Sequence, residues 1–235
     1  MPAPMIPLQF ERLSNEAQHD RADRFYEEMS RRRSVRYFTD DDVPRHLVEQ
    51  AVRTASTAPS GAHKQPWTFV ITSDPVVKSQ IRQAAEEEER VNYEGGRLPP
   101  HWREDLEPLG TDWRKPFLET VPWIVVLFEH RYQLDATGER RHTYYPKESV
   151  GICAGIFITA LHNMGLATLT HTPSPMKFLT KLLGRPDNER PFCLFPIGFP
   201  AVDCVVPDLE RKPLTEVMVE VTVGVTGSSS STSSA

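Results

Sequence analysis

Two short segments about twenty positions apart hold the residues whose types and spacing could do chemistry. The first is Arg31-Arg32-Arg33-Ser34-Val35-Arg36, with four arginines in six residues. Guanidinium groups match oxyanion geometry and stay charged at any working pH, so this run makes a site for a phosphate or another dense anion. The second is Thr57-Ala58-Pro59-Ser60-Gly61-Ala62-His63, running on to Pro66-Trp67. Its Pro, Gly and small side chains form a turn where a planar ligand can lie close to the backbone. Composition alone equally allows a solvated basic face followed by an ordinary loop. Further on, Glu89 and Tyr93 are spaced i, i+4 and share one face of a helix. Glu89 also closes a four-glutamate run, Glu86 to Glu89, of the kind that usually forms a solvated face. His63, His142 and His162 have no useful mutual spacing, so no metal is expected. Ser60 before Gly61 lacks the strand–elbow–helix context of a hydrolase nucleophile.

The elements that must position these groups alternate between helices and about five strands, which is α+β or α/β in one domain. A helix is expected from about Ala17 to Arg32. Asp40-Asp41-Asp42 before Val43-Pro44 signals the start of another, whose Leu47, Val48, Ala51, Val52 and Ala55 share a buried face. Trp67 to Ile71 reads as a central strand. Ser73-Asp74-Pro75 then caps a helix that runs through Ile81 toward Tyr93 and breaks at Gly95-Gly96. Residues from there to Pro116 read as a partly helical excursion over the scaffold. Val121 to Phe128 is a second strand, and Gly138 marks a polar hairpin. Val150 to Met164, apolar almost all round, reads as a fully buried helix. Leu166 to Thr172 and Pro191 to Ile197 are further strands, with a short helix at Met176 to Leu183 between them. Val217, Val219, Val221, Val223 and Val225 alternate in period two, as in a half-buried strand that needs a sheet edge. Gly227 to Ala235 is a Ser/Thr tail that cannot form a core.

Composition narrows the classes. A hydrophobic fraction of 39%, a charged fraction of 25% and a net charge of -5 describe a globular protein that is not a general nucleic-acid binder. Cys153, Cys193 and Cys204 show neither metal-ligand spacing nor a disulfide framework. No apolar run reaches the roughly 18 residues that span a bilayer.

Taken together, these segments resemble the flavin-dependent nitroreductase superfamily and, within it, the iodotyrosine deiodinases. The arginine run is similar to that superfamily's FMN-phosphate motif. The run Thr54 to His63, with Gln65-Pro66-Trp67, is similar to the deiodinase form of the second flavin segment. Further matches are Glu86 through Tyr93, Thr111-Asp112-Trp113-Arg114-Lys115, Thr170-His171-Thr172-Pro173 and Pro207 to Pro213, in consistent order over roughly residues 20 to 223.

The resemblance implies an α+β, nitroreductase-like fold: a central mixed, mainly antiparallel sheet flanked by helices. It implies an intertwined homodimer with an exchanged C-terminal arm, which would give the valine strand its partner. The domain would span 17–226, after an arm at 1–16, with a lid at about 86–116 and a disordered tail at 227–235. FMN is the implied cofactor, held by Arg32, Arg33, Ser34, Val35, Arg36 and Arg211. Ser60 and Gly61 would reach it from the other subunit, and Thr170, His171 and Thr172 would line it. Thr172 would be the catalytic hydroxyl, bonded to flavin N5 and favouring the semiquinone; His171 departs from the threonine of vertebrate members and carries no catalytic role. Glu89, Tyr93 and Lys115 would grip the amino-acid end of a halogenated tyrosine, with the Ala62 backbone N–H on its phenolate.

The implied activity is reductive dehalogenation of mono- and diiodotyrosine to tyrosine plus iodide. A nitroreductase or quinone reductase is the alternative within the superfamily, and a flavin-binding redox sensor the alternative from another class. No nicotinamide-binding glycine fingerprint appears, so a separate NAD(P)H-dependent (NADPH) reductase is the expected electron donor. Vertebrate members carry an N-terminal membrane anchor whereas this chain opens on a short arm, so a cytoplasmic location is expected, a membrane-anchored parent being the alternative.

Overall fold

The strand β2 (Trp123–His130) organises the fold because both of its faces are buried. The structure is a computed structural model that describes residues 3–222. β2 pairs antiparallel with β1 (Trp67–Thr72) on one side and with β6 (Glu189–Gly198) on the other. β5 (Ala167–Thr168) closes the order β1-β2-β6-β5, also antiparallel. Among the described residues the one parallel link is an isolated bridge from Ser34 to Thr168. β3 (Tyr132–Leu134) and β4 (Arg140–His142) form a separate hairpin. The sheet shifts register between Leu127 and Phe128, opposite Pro191, which lacks the N–H that regular pairing needs.

Alternate residues of β2 serve two cores. Trp123, Val125 and Leu127 pack with α2 (Arg45–Ala55) and α6 (Pro146–Asn163). Ile124, Val126 and Phe128 pack on the other face with α3 (Pro75–Tyr93), α5 (Phe117–Thr120) and α7 (Lys177–Leu182). The expected periodic face of α2 is buried through Val48, Ala51 and Ala55. The Asp74 carboxylate accepts from the N–H groups of Val76 and Val77 at 2.8 and 3.1 Å, with Pro75 in the first turn. α3 therefore runs unbroken to Tyr93. α4 (Pro100–Leu106) and a tight turn at Glu107–Leu109 form the excursion that follows.

Several elements differ from expectation. α1 (Asn15–Ser30) is capped by Ser14 but buries no residue. α6 begins at Pro146 and is not fully buried: Gly151, Ile152 and Gly155 are exposed, because nothing among the described residues covers that face. The strand expected at Leu166–Thr172 shortens to β5 plus a bridge from His171 to Leu194. The described part of the expected valine strand, up to residue 222, forms no strand. Leu214–Val217 form one helical turn, α8, and Val219 and Val221 beyond it are exposed and pair with no described residue. Val223, Val225 and the tail lie outside the described residues. Among those residues no helix is long and apolar enough to cross a membrane.

Phe157 of α6 is fully buried between Phe69 and Phe195, each with ring centroids 5.2 Å away. Phe157→Ala is expected to lower unfolding free energy by about 3–5 kcal/mol, read as a lower urea midpoint at unchanged slope.

Candidate active site

The arginine run lies along β5. The Val35 N–H donates to Thr168 O at 3.3 Å while the Val35 side chain turns into the core, leaving the flanking residues to the surface. Arg32, Arg33, Ser34, Arg36, Thr170 and Arg211 line a cavity of about 420 Å³. Arg211 is drawn in from the C-terminal segment by donating to Ser30 O at 3.0 Å and Arg32 O at 2.9 Å. Arg33 donates to Pro207 O. Among the described residues no carboxylate lies within 4.0 Å of any of these four guanidinium groups; the nearby ion pair is Arg31 with Glu28. Burial, followed by repulsion from Arg211 and Arg33, lowers the pKa of Arg32 from its ordinary value. Glu210 also lines this cavity but makes no ion pair with the four guanidinium groups, and cations crowded without a paired carboxylate form a cradle for an anion.

A second cavity of about 340 Å³ adjoins it, sharing Arg36, Leu169 and Thr170. Its lining brings together Glu89, Tyr93, Lys115, His171 and Thr172. Glu89 and Tyr93 come from adjacent turns of α3, and Lys115 from the return of the excursion toward α5. Lys115 Nζ stands 3.7 Å from Glu89 Oε2 and 5.6 Å from the centre of the Tyr93 ring. It also donates to Asp112 O, and at 3.4 Å to Thr111 Oγ1. The Lys115 backbone N–H donates to Glu86 Oε1 at 2.7 Å, so the glutamate run is partly structural. Burial raises the Glu89 carboxyl against the pull of Lys115, and lowers the Lys115 ammonium against the pull of Glu89. Burial, then Glu89, raises the Tyr93 phenol. A buried carboxylate and ammonium held side by side can exchange each other for the two charges of a zwitterion.

The second segment does not reach either cavity within one chain: Ser60, Gly61 and Ala62 line neither. Its backbone is unusual. Ala62, His63 and Gln65 all have positive φ, at 50, 53 and 45°, a strained state for residues with a side chain. Gly61 is required by contact, since a Cβ there would sit 2.5 Å from Tyr144 O. The Ser60 hydroxyl accepts from Gln65 N–H at 2.9 Å and fixes the turn, while nothing among the described residues accepts from the Ala62 N–H.

A sequence profile described as the nitroreductase family matches residues 29–199, which include Arg32, Arg33 and Arg36 of the cradle but not Arg211, the α3 and Lys115 groups of the second cavity, and the second segment. The chain belongs to the nitroreductase family. Within that family it is 51% identical over 214 residues to an iodotyrosine deiodinase of Haliscomenobacter hydrossis, covering 91% of this chain and 96% of that one. It is 42% identical to human iodotyrosine deiodinase 1, covering 92% of this chain and 75% of the human one. Among solved structures, an oxidized iodotyrosine deiodinase bound to FMN and 3-iodo-L-tyrosine superposes with a TM-score of 0.72 at 29% identity, over 86% of this chain and 99% of that one. A BluB-like flavoprotein of Clostridium difficile, at 17% identity and a TM-score of 0.64, shares the fold.

Some lining residues of this nitroreductase-family site escaped the sequence reading. Asn92, buried on α3, donates to Ser174 O at 2.8 Å and ties the helix to the segment after Thr172. Its i+3 spacing from Glu89 was the available signal. Trp102, Asp105 and Phe117 complete the wall. His171 sits buried at the floor, edge-on to Phe117, its Nε2 without a partner among the described residues.

Burial, then the charges of Lys115 and Arg36, push the His171 imidazole down to about 3. The unfolded chain takes up a proton near 6.5 that the folded chain refuses until about 3, so folding stability falls as pH drops through that window. The slope from this group is about 1.4 kcal/mol per pH unit. Urea unfolding at pH 7 and pH 5 is expected to show a larger loss for the parent than for His171→Gln. His130, also lowered by burial, adds the same sign to both proteins and cancels.

Proposed function

We propose that this protein is an FMN-dependent oxidoreductase that dehalogenates halogenated tyrosines, converting mono- and diiodotyrosine to tyrosine plus iodide. The observation that carries the reading is the Lys115–Glu89 pair, 3.7 Å apart with Lys115 buried and Glu89 half-buried, beside an arginine cradle that has no ion-paired carboxylate among the described residues. The cradle fits FMN, whose phosphate needs convergent cations: Arg32, Arg33, Ser34, Arg36 and Arg211 would hold it, with Thr170, His171 and Thr172 nearer the ring. The solved relative contains FMN and 3-iodo-L-tyrosine. FMN in its reduced form supplies the two electrons that, with one proton, replace a carbon–iodine bond by carbon–hydrogen and release iodide.

The residues of the chain do the binding and the exclusion of water. Glu89 releases Lys115 to take the α-ammonium, Lys115 takes the α-carboxylate, and Tyr93 bonds to either. The segment from α3 to Lys115 is the lid, and its closure strengthens electrostatics in the enclosed site. The unoccupied Ala62 N–H donates to the phenolate, which favours halotyrosines over the less acidic tyrosine. Thr172 is exposed at the cavity, and its hydroxyl would serve as the hydrogen-bonding partner of flavin N5.

A homodimer is part of this reading. The bare apolar face of α6, the exposed Met5, Ile6, Leu8 and Phe10, and Val219 and Val221 all lack cover among the described residues. A second copy exchanging its C-terminal arm covers them and carries Ser60, Gly61 and Ala62 to the flavin of its neighbour. An NAD(P)H-dependent reductase is the proposed electron donor.

Flavin-fluorescence titration tests the assignment, with diiodotyrosine set against tyrosine and a nitroaromatic. Diiodotyrosine is expected to quench tightly and alone. Glu89→Gln and Lys115→Gln each weaken it at least about thirtyfold, as loss of one partner of a desolvated charge pair does. Thr172→Ala is expected to keep the affinity and slow dithionite-driven iodide release. Equal response to tyrosine and diiodotyrosine would leave a general nitroreductase. Sedimentation of the parent should give twice the monomer mass, and removal of residues 214–235 should shift it toward one.

A further inference from the structure

The substrate cavity contains a carboxylate that the zwitterion grip does not use. Asp105 lies at the end of α4 and lines the same wall as Glu89. No described residue forms an ion pair or a hydrogen bond with its carboxylate, although guanidinium groups elsewhere in the excursion are all taken: Arg97 by Glu88 at 3.0 Å, Arg103 by Tyr93 O at 2.7 Å and Arg114 by Asp112 at 3.2 Å. The Arg103 bond anchors α4 to the end of α3, so Asp105 is carried on a tethered element rather than on a free loop.

The cavity's charged side chains are Arg36, Lys115, Glu89 and Asp105. Arg36 also lines the anion cradle, and although its charge reaches Lys115 and Tyr93, a phosphate bound in the cradle would answer it. That leaves the lining carboxylates Glu89 and Asp105, with Asp112 and Glu86 also acting on Lys115, in the part that would receive the amino-acid end. A ligand bearing both ammonium and carboxylate restores balance there. A ligand with a carboxylate alone places a further negative charge against Lys115 in a partly desolvated space.

We propose that Asp105 is a specificity-determining residue that selects ligands carrying an ammonium group and rejects phenols whose side chain ends in a carboxylate alone. The proposal rests on the halotyrosine reading of the site. Glu89 alone grips the ammonium; Asp105 acts at longer range, from the mouth, against the wrong charge. Because Asp105 is solvent-exposed, its effect is a few-fold rather than all-or-none.

The test uses FMN-loaded protein and reads dissociation constants from flavin-fluorescence quenching, with iodotyrosine and its des-amino analogue, hydroxyiodophenylpropionate, as probes. Asp105→Asn is expected to narrow the preference for iodotyrosine by about three- to fivefold, mainly by tightening the des-amino acid. Glu104→Gln, which removes a neighbouring exposed carboxylate that does not line the cavity, is expected to leave the ratio unchanged. Added salt should narrow the ratio in the parent and not in Asp105→Asn. An unchanged ratio in Asp105→Asn overturns the proposal, and so does equal narrowing in both variants, which marks a general surface-charge effect. Parent protein that binds neither probe overturns the halotyrosine reading and this proposal with it.

Discussion

Arg32, Arg33, Arg36 and Arg211 repel one another in the folded chain, and an anion among them turns that repulsion into attraction. The fold maintains this arrangement against its own electrostatics. The Val35 amide is bonded to β5 and the Val35 side chain is held in the core, so the neighbouring arginines have no route apart. Arg211 spends donors on two backbone carbonyls at the end of α1, which brings the C-terminal segment against the arginine run. A carboxylate paired with them would quench the site; Glu210 lines the cavity, yet among the described residues no carboxylate is within 4.0 Å of these guanidinium groups. Segments 181 and 179 residues apart are thus joined at the cradle.

The second cavity follows the same logic with both signs of charge. Lys115 and Glu89 are buried together, so each offsets part of the other's desolvation, and neither is shifted as far as a lone buried charge would be. The supporting bonds from Asp112, Thr111 and Glu86 keep Lys115 in place whichever anion it faces. Phe117 and His171 give this pair a floor that stays uncharged over the working pH range. Cys153 and Cys193, with thiols pushed up to about 12 by burial, are inert packing groups in the adjoining core.

Much of the molecule's surface makes sense only as half of a larger contact. α1 is a well-capped helix with no buried face, which is unusual because tertiary packing supplies most helix stability. α6 packs on one side and presents glycines and Ile152 on the other. The strained turn at Ala62–Gln65 lines neither cavity and holds an N–H with no acceptor among the described residues, and such strain persists where function maintains it. These features are the physical ground for reading the site as shared between two copies.

Local chemistry was enough to read α2 from its apolar period, α3 from the Asp74-Pro75 cap, and β2 from its continuous apolar run, because each signal acts within a few residues. Residue types and their order likewise named the arginine run, Glu89, Tyr93, Lys115 and Thr172. The sequence did not determine that Val217–Val221 would stay unpaired, since alternation reports a preference for a sheet edge and not whether the same chain offers one. Nor did apolar content around α6 tell which face is covered, because hydrophobicity is the same toward its own core and toward another copy. The meeting of Lys115 with Glu89, the place of Asp105 and the neutral state of His171 depend on distance and dielectric, quantities that exist only once segments far apart in the chain have been packed together.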